Sequence, residues 1–287
     1  MDSLVSTEWL AQQPGSPDLA ILDASSHLPM AGRNARAEFV ERHIAGAQFL
    51  DLASLVDPDS SVPAALPNAG QFARRLAKLG IQPSARVIIY DDSDVRTAAR
   101  AWFICRLHGM HEVAILDGGL GKWRDEGRPL ESGAGSDVDQ AEAPSRAIGG
   151  GTVAVRSKAQ MLANIASNAE QVVDARDAQR FSGELPDFRP QVAPGHIPGS
   201  CNLPFDRVLN ADGTYKKPAQ LRQLFARAGI DLSKPLVTTC GGGVTAAVLL
   251  FALHVVGKDD VALYDGSWSE WGADAATPKA LGPASLD

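Results

Sequence analysis

The sequence predicts an α/β protein built from two tandem domains, each with a parallel sheet that is covered by helices on both faces. Two observations support this fold class. Short β-branched runs such as residues 87–90 and 236–239 alternate with longer apolar stretches such as residues 98–107 and 246–256, and this alternation is typical of parallel sheets. The chain of 287 residues also contains a repeat with an offset of about 150 residues, which is the size of one domain.

Each copy of the repeat begins with a predicted capped helix and continues with a strand that ends in Asp-Ala. In the first copy, residues 5–10 form the helix and residues 19–24 the strand. In the second copy, residues 155–160 and 171–176 correspond to them. Further along the chain, residues 41–47 match 194–200, and residues 113–119 match 261–267. The spacing between paired segments is nearly constant, which indicates a duplicated domain.

The stretch between the two copies has the composition of a linker. Residues 131–151 contain glycines among small and acidic residues and show no apolar period, which is typical of a loop. The sequence therefore predicts a first domain over residues 1–130, a linker over residues 131–151 and a second domain over residues 152–280.

Composition and charge exclude several classes of protein. Hydrophobic residues make up 45% of the chain, which excludes extended disorder. The apolar runs fall short of the roughly 20 residues that a membrane span needs, and the N-terminus lacks the basic and apolar regions of a signal peptide. The net charge of −7 provides no basic field that would attract nucleic acid. We therefore expect a cytoplasmic protein without nucleic-acid or membrane partners.

The cysteine content also agrees with the expectation of a cytoplasmic protein. Cys105, Cys201 and Cys240 are too few for a disulfide framework and show no zinc-type spacing with histidines. The sequence accordingly predicts a reducing compartment, no metal site and no cofactor.

The segment that follows residues 236–239 is the strongest candidate for a functional site. Cys240 comes directly after this predicted strand, and three glycines separate it from an apolar helix. The amides and partial positive charge at a helix N-terminus favour the thiolate form of a cysteine, and the thiolate is the nucleophile. Consecutive glycines also allow successive amides to turn toward one anion. We predict that Cys240 is an accessible catalytic nucleophile whose anionic sulfur is stabilised by the amides of Gly241, Gly242, Gly243, Val244 and Thr245.

Comparison of this loop with the first domain and with phosphatase loops limits the reactions that it can support. The first domain has Asp91 at the position of Cys240, so only the second domain carries a nucleophile there. A phosphatase would have an arginine at the position of Ala246 to bind the phosphate. Because alanine stands there, the neutral loop suits a compact acceptor such as a single sulfur atom better than it suits a phosphate. Taken alone, the loop also allows Cys240 to be a buried small hydrophobic residue in a tight turn.

Three segments resemble the two-domain rhodanese family of sulfurtransferases. Residues 39–47 are similar to the family's N-terminal signature, with Ala45 at a position where proline is usual, and residues 261–271 are similar to its C-terminal signature. The Cys240 loop is the third segment. The resemblance implies a first rhodanese-like domain without the catalytic cysteine and a second, catalytic one. It also implies that the cysteine takes sulfane sulfur from a small-molecule donor, holds it as a persulfide and passes it to an acceptor such as a thiol, thioredoxin or cyanide.

The resemblance also bears on the sulfur donor. Members that use 3-mercaptopyruvate usually read Cys-Gly-Ser-Gly, and the loop here is closer to that motif than to the cationic loops of members that use thiosulfate. Residues 180–189 resemble the segment whose two arginines hold the carboxylate and carbonyl of mercaptopyruvate. Arg180 and Arg189 are therefore the predicted substrate-binding side chains, because a guanidinium binds a carboxylate through two parallel hydrogen bonds.

One part of the family's pattern is missing. The proposed proton-handling serine, aspartate and histidine of mercaptopyruvate enzymes fall on Gly242, Ala53 and Ala64, so no residue is nominated as the proton donor. Two alternatives therefore stay open besides transfer from 3-mercaptopyruvate, with release of pyruvate. One is a thiosulfate sulfurtransferase, and the other is a non-enzymatic sulfur carrier or scaffold.

Overall fold

The computed structural model describes residues 1–13, 15–16, 18–135, 151 and 153–283. The chain folds into two compact units, formed mainly by the residues before 136 and the residues after 152. Most of the predicted linker, residues 136–150, lies outside the described residues. The predicted domain boundaries therefore stay a prediction.

The first unit is an α/β layer structure around a parallel sheet. Its strands are β1 (Leu4–Val5), β2 (Leu19–Asp23), β3 (His43–Ile44), β4 (Ala47–Phe49), β5 (Arg86–Tyr90), β6 (Val113–Leu116) and β7 (Leu130–Glu131). Its helices are α1 (Thr7–Ala11), α2 (Ala35–Glu41), α3 (Ala69–Lys78), α4 (Ala98–Leu107) and α5 (Gly119–Asp125). Five strands form the parallel sheet in the order β1-β6-β5-β2-β4, and β3 pairs antiparallel with β7.

The second unit repeats this topology. Its strands are β8 (Ala154–Arg156), β9 (Gln171–Asp174), β10 (Cys201–Asn202), β11 (Leu236–Thr239) and β12 (Val261–Tyr264). Its helices are α6 (Lys158–Ser167), α7 (Ala178–Ser182), α8 (Pro218–Arg227), α9 (Val244–Val255) and α10 (Ser267–Trp271). The parallel sheet has the order β8-β12-β11-β9-β10, which corresponds strand for strand to the first sheet. The predicted fold class, two α/β domains with parallel sheets flanked by helices, is confirmed.

The start of each repeat differs from the prediction. Val5 lies in β1 and residues 155–156 lie in β8, so these residues precede the helix instead of forming its first turn. Ser6 and Ser157 separate strand from helix, because each side chain accepts a hydrogen bond from a backbone amide in the first helical turn. An N-cap residue has extended backbone geometry and can therefore end a strand directly.

The sequence of β11 and α9 explains how the candidate site is positioned. All residues of β11 are buried, and the strand pairs in parallel with β9 on one side and β12 on the other. Helix α9 is buried over residues 246–253, as expected for a helix that is apolar on all sides. The turn from β11 to α9 therefore lies at the carboxyl end of a central strand, which is where α/β sheets bind their ligands.

Candidate active site

Cys240 lies in the turn between β11 and α9. The strand ends at Thr239 and the helix begins at Val244, with Gly243 as its N-cap at a φ of 76°. This φ lies in the left-handed region that favours glycine. Cys240 is only 2% exposed, whereas the sequence predicts an accessible thiol. The difference arises because segments distant in the chain bind to both sides of the turn.

The first of these segments is the beginning of α10. The hydroxyl oxygen of Ser267 accepts hydrogen bonds from the amides of Cys240, at 3.2 Å, and Gly243, at 3.1 Å. The same hydroxyl donates to the carbonyl of Tyr264 at 2.8 Å. Ser267 has a φ of 49°, a conformation that is strained for a residue other than glycine. The sequence marks Ser267 only as part of a signature, and this contact could not be predicted from it.

Two backbone hydrogen bonds complete the junction with α10. The amide of Trp268 donates to the carbonyl of Cys240 at 2.9 Å, and the amide of Ser269 donates to the carbonyl of Gly241 at 2.9 Å. The carbonyl groups of the turn are therefore used for structure, which leaves its remaining amides for another partner.

Four of the five predicted amides are available for an anion, whereas the prediction is wrong for Gly243, whose amide donates to Ser267. Within the described part of the chain, the amides of Gly241, Gly242, Val244 and Thr245 have no acceptor at hydrogen-bond distance. Amides in the first turn of a helix have no acceptor within the helix itself. A group of such amides at the positive end of a helix can bind an anion.

The first unit has a carboxylate at the position of the thiol, in a longer turn of residues 91–97. Asp91 follows β5 as Cys240 follows β11, and its carbonyl accepts a hydrogen bond from the amide of Leu120. Gly119 corresponds to Ser267 and has a φ of 59°. A Cβ atom on Gly119 would lie 2.4 Å from the carbonyl oxygen of Asp91, so this turn has no room for a serine.

The carboxylate of Asp91 binds the amides of its own turn. It accepts hydrogen bonds from the amides of Ser93, at 2.9 Å, and Ala98, at 2.7 Å. Burial raises the pKa of Asp91 to about 6, although the two amides act in the opposite direction. The turn in the first unit thus carries its own anionic group, whereas the turn in the second unit leaves its amides without an acceptor.

The second segment that binds the Cys240 turn contains Arg189. Its Nε and Nη2 donate to the two carboxylate oxygens of Asp187, at 2.8 and 2.9 Å, and Nη1 and Nη2 each lie 3.3 Å from the carbonyl oxygen of Gly241. Burial disfavours the charge of Asp187, but the hydrogen bonds from Arg189 hold the pKa of this carboxyl below its ordinary value. The structure therefore places the guanidinium of Arg189 against the loop, and its role in substrate binding stays a prediction.

Arg180 is oriented differently. It lies on α7, and its Nε donates to the carboxylate of Asp177, the N-cap of the same helix, at 2.5 Å. Among the described residues, Arg180 makes no hydrogen bond to the Cys240 turn. Its charge adds to that of Arg189 in lowering the pKa of Asp187, against the effect of burial. The link between Arg180 and the site is therefore electrostatic.

An arginine of the first unit makes the same contacts as Arg189. The Nη1 of Arg33 donates to the carbonyl of Asp92 at 2.9 Å, at the position that corresponds to Gly241. Arg33 also forms two parallel hydrogen bonds with Glu38, at 2.9 and 2.7 Å. Because this arrangement occurs in the unit without the nucleophile, one function of Arg189 is to hold the turn in place.

A buried ion pair packs against the tryptophan that begins α10. Arg176 and Asp174 lie 2.7 Å apart, with side chains that are 2% and 1% exposed. The guanidinium of Arg176 lies 4.6 Å from the centroid of Trp268, whose indole nitrogen donates to the carbonyl of Ala193 at 2.9 Å. Trp268 is 1% exposed and packs in the core of the second unit. Arg176 carries no sequence signal, because its partners are fixed by tertiary contacts.

The remaining cysteines are structural. Cys105 lies in α4 and Cys201 in β10, and both are buried. Burial raises the pKa of Cys105 to about 12 and also raises that of Cys201, so both thiols stay protonated at neutral pH.

The described residues contain neither a metal-binding cluster nor a membrane-spanning helix. They contain no group of three or more His, Cys, Asp or Glu side chains placed to hold a metal ion. They also contain no helix of sufficient length and apolar character to cross a membrane.

Two units whose parallel sheets have the same strand order, with a cysteine turn in only one of them, define the class of protein. The family of rhodanese-like domains matches residues 6–126 and 157–274, and the chain belongs to this family.

The relatives identify the activity. The chain is 42% identical over 275 residues to the 3-mercaptopyruvate sulfurtransferase of Mus musculus, which covers 94% of this chain and 91% of the relative. It is 39% identical over 281 residues to the thiosulfate sulfurtransferase of Cricetulus griseus, with the same coverage of both chains. The crystal structure of SseA from Escherichia coli matches with a TM-score of 0.83 at 35% identity and covers 94% of this chain and 100% of that chain. The protein is a sulfurtransferase.

Proposed function

We propose that the enzyme transfers sulfane sulfur from 3-mercaptopyruvate to a thiophilic acceptor through a persulfide on Cys240, with release of pyruvate. The observation that supports this function most strongly is the set of four amides without an acceptor in the turn that contains Cys240. In the first unit, amides that follow the corresponding strand donate hydrogen bonds to a carboxylate and favour its charged form against the effect of burial, which supports the amides of such a turn as donors to an anion.

In the first half-reaction, the thiolate of Cys240 attacks the sulfur of 3-mercaptopyruvate. A sulfur–sulfur bond forms with the electron pair of the thiolate, and the carbon–sulfur bond of the donor breaks. Its electron pair leaves with carbon as the enolate of pyruvate, which takes up the proton of the former thiol group. The free amides of Gly241, Gly242, Val244 and Thr245 stabilise the anionic persulfide, because preorganised donors act where the charge develops.

In the second half-reaction, a nucleophilic acceptor attacks the outer sulfur of the persulfide. The sulfur–sulfur bond to Cys240 breaks, the cysteine leaves as a thiolate, and the acceptor keeps one sulfur atom. The outer sulfur extends about 2 Å beyond the cysteine sulfur. This extension helps an acceptor to reach the reacting atom, although Cys240 itself is 2% exposed. Small thiols, cyanide and a thioredoxin-type protein are the proposed acceptors.

Two arginines are proposed to orient the donor. Arg189 lies at the turn, and its planar guanidinium would exchange part of its contacts with Asp187 and the carbonyl of Gly241 for the carboxylate of an α-keto acid. Fixing the carboxylate end directs the C3 sulfur toward Cys240, and such positioning accounts for a large part of many rate enhancements. Arg180 is proposed as the partner for the donor's carbonyl. To reach it, Arg180 would exchange its hydrogen bond with Asp177 for one with the substrate.

No side chain is assigned as the proton donor. Gly242, Ala53 and Ala64 occupy the positions of the family's proposed triad, and none of them carries a titratable group. The reaction needs no proton-donating side chain, because the thiol proton of the sulfur donor can reach the enolate directly or through water.

Thiosulfate is the competing donor, since a thiosulfate sulfurtransferase is among the relatives. Residues 241–245 carry no cationic side chain, which disfavours a donor with two negative charges on a compact group. The relatives' enzymatic names over nearly the whole chain give no support to a non-catalytic scaffold, and this alternative is not retained.

The experiment that tests the function has two measurements. Steady-state rates are compared for 3-mercaptopyruvate and thiosulfate, with cyanide or a thiol as acceptor. The intact mass is then measured after treatment with each donor. We expect a higher kcat/KM with 3-mercaptopyruvate, the gain of one sulfur atom in the wild type and no gain in Cys240→Ser. Cys201→Ser is the matched control and should gain the sulfur. A clear preference for thiosulfate would show that thiosulfate is the donor. A gain of sulfur by Cys240→Ser would show that another residue is the nucleophile.

A further inference from the structure

The first unit contains a cavity that the proposed sulfur transfer does not use. It has a volume of about 660 Å³ and is lined by residues that follow β2 and β4 and by parts of α2 and α3. This volume lies within the range of small-molecule sites. The walls include the ring of Phe49 and the side chain of Leu79, and charged side chains surround this apolar surface.

Three cations that line the cavity have no carboxylate partner. Among the described residues, Arg36, Arg75 and Lys78 form no salt bridge. Arg33 also lines the cavity, but its charge is balanced by Glu38, at 2.7 Å, and Asp92, at 3.0 Å. An accumulation of unbalanced positive charge is unexpected in a chain with a net charge of −7.

One carboxylate faces these cations and does not neutralise them. Asp51 is the acidic residue in the described lining of the cavity. Its carboxylate accepts a hydrogen bond from the hydroxyl of Ser54 at 2.6 Å. Arg75 instead donates to the backbone carbonyl of Asp51, at 2.6 Å, and to the hydroxyl of Ser54, at 2.8 Å. The positive charge in the cavity therefore exceeds the negative charge by about two.

The two arginines are held in fixed positions with donors to spare. Arg75 uses Nη1 and Nη2 for the contacts with residues 51 and 54. The guanidinium of Arg36 lies 5.5 Å from the ring centroid of Phe39 and 5.4 Å from that of Phe49, and its Nη2 donates to the carbonyl of Ala134 at 3.1 Å. Each guanidinium has five N–H donors, so both keep free donors. Side chains that are already ordered lose less entropy when a ligand binds.

We infer that this cavity binds a small polyanion with at least two negative charges, such as a phosphate ester or a polycarboxylate. Both types of ligand share the chemistry that the site recognises, since each presents several oxygens to guanidinium and ammonium donors. Lys78, the exposed last residue of α3, supplies an ammonium group, and the two arginines supply the fixed donors.

The test is isothermal titration of the full-length protein with pyrophosphate and with citrate, at constant ionic strength because exposed charges are screened by salt. We expect at least one probe to bind, and the probe with the higher affinity identifies the preferred class of anion. Arg36→Gln and Lys78→Gln should each weaken binding by about fivefold or more, as expected for the loss of one partly exposed charge contact. Circular dichroism verifies that both variants are folded.

Two controls separate this cavity from other effects. Arg74→Gln removes the same charge from the exposed face of α3, next to Arg75 but outside the cavity, and should change the affinity by less than about twofold. Arg189→Gln alters the Cys240 turn and should leave probe binding unchanged. Absence of binding for both probes would overturn the inference. Equal weakening by Arg74→Gln, or loss of binding in Arg189→Gln, would overturn it as well.

Discussion

The hydroxyl oxygen of Ser267 lies 3.2 Å from the amide nitrogen of Cys240 and accepts its hydrogen bond, while it also binds the amide of Gly243 at 3.1 Å. One side chain from the start of α10 thus fixes both ends of the turn that carries the nucleophile. In the first unit, Gly119 stands at the position of this serine. The turn there is held by the hydroxyl of Ser25, which accepts from the amide of Asp92, and by the carboxylate of its own Asp91.

Substitution of Ser267 by alanine should impair both stability and catalysis. The variant leaves two buried amides without their acceptor, which typically costs about 1 to 3 kcal/mol, and it loosens the turn around the sulfur. We expect a lower free energy of unfolding in urea and a lower kcat for sulfur transfer. Ser269→Ala is the control, because this buried hydroxyl donates to the carbonyl of Gly266 at 2.8 Å and makes no contact with the turn through its side chain. Equal kcat values for the two variants would contradict the positioning role of Ser267.

The two central glycines of the turn should respond differently to alanine. Gly243 has a φ of 76°, so alanine there costs about 1 kcal/mol or more in backbone strain and displaces the start of α9. Gly242 lies outside the left-handed region, and a Cβ atom on it would meet no other atom within 4 Å. We therefore expect Gly243→Ala to reduce kcat and the free energy of unfolding, and Gly242→Ala to change both little. Thermal unfolding and steady-state kinetics measure these effects. A larger loss of kcat and stability in Gly242→Ala than in Gly243→Ala would show that the turn adopts another conformation in solution.

Removal of the charge of Arg189 should mainly raise KM for 3-mercaptopyruvate. In Arg189→Gln, the loss of a charged hydrogen bond to the donor corresponds to about a tenfold increase. A smaller decrease in kcat is expected, because the residue also holds the carbonyl of Gly241. Arg156→Gln is the matched control, since Arg156 forms a similar bidentate pair with Glu170 and is exposed to a similar extent, 25% compared with 23%. An unchanged KM in Arg189→Gln would show that this residue does not bind the donor.

The carboxyl group of Asp91 should make stability depend on pH. Burial raises its pKa from 3.8 to about 6, so the folded protein binds this proton more readily than the unfolded chain does. The stabilising contribution is therefore complete below about pH 4 and is lost as the pH rises through about 6. Relative to Asp91→Asn, the free energy of unfolding of the wild type should decrease by at most about 3 kcal/mol over this interval. Urea titrations at several pH values measure the difference, and a constant difference would contradict a raised pKa.

Much of the fold was predictable because the duplication is visible in short local patterns. Helix α4 and strand β11 occur at the predicted residues, since α4 is a largely apolar segment and β11 consists mainly of β-branched residues. The prediction failed at Val5 and at residues 155–156, which form edge strands of two or three residues. Such short strands have no period of their own and exist only because β6 and β12 pair with them.

The sequence by itself determined that this protein has two similar α/β domains and that one of them has a cysteine between a strand and a helix. These features depend on residues that are adjacent in the chain, where periodicity and backbone preference act directly. Only the tertiary structure decided that Ser267 and Arg189 converge on the Cys240 turn, that four amides of this turn lack an acceptor, and that the thiol is buried. These relationships join segments 27 and 52 residues apart, and their geometry is set by the packing of α10 and the 180–189 segment against the end of the sheet.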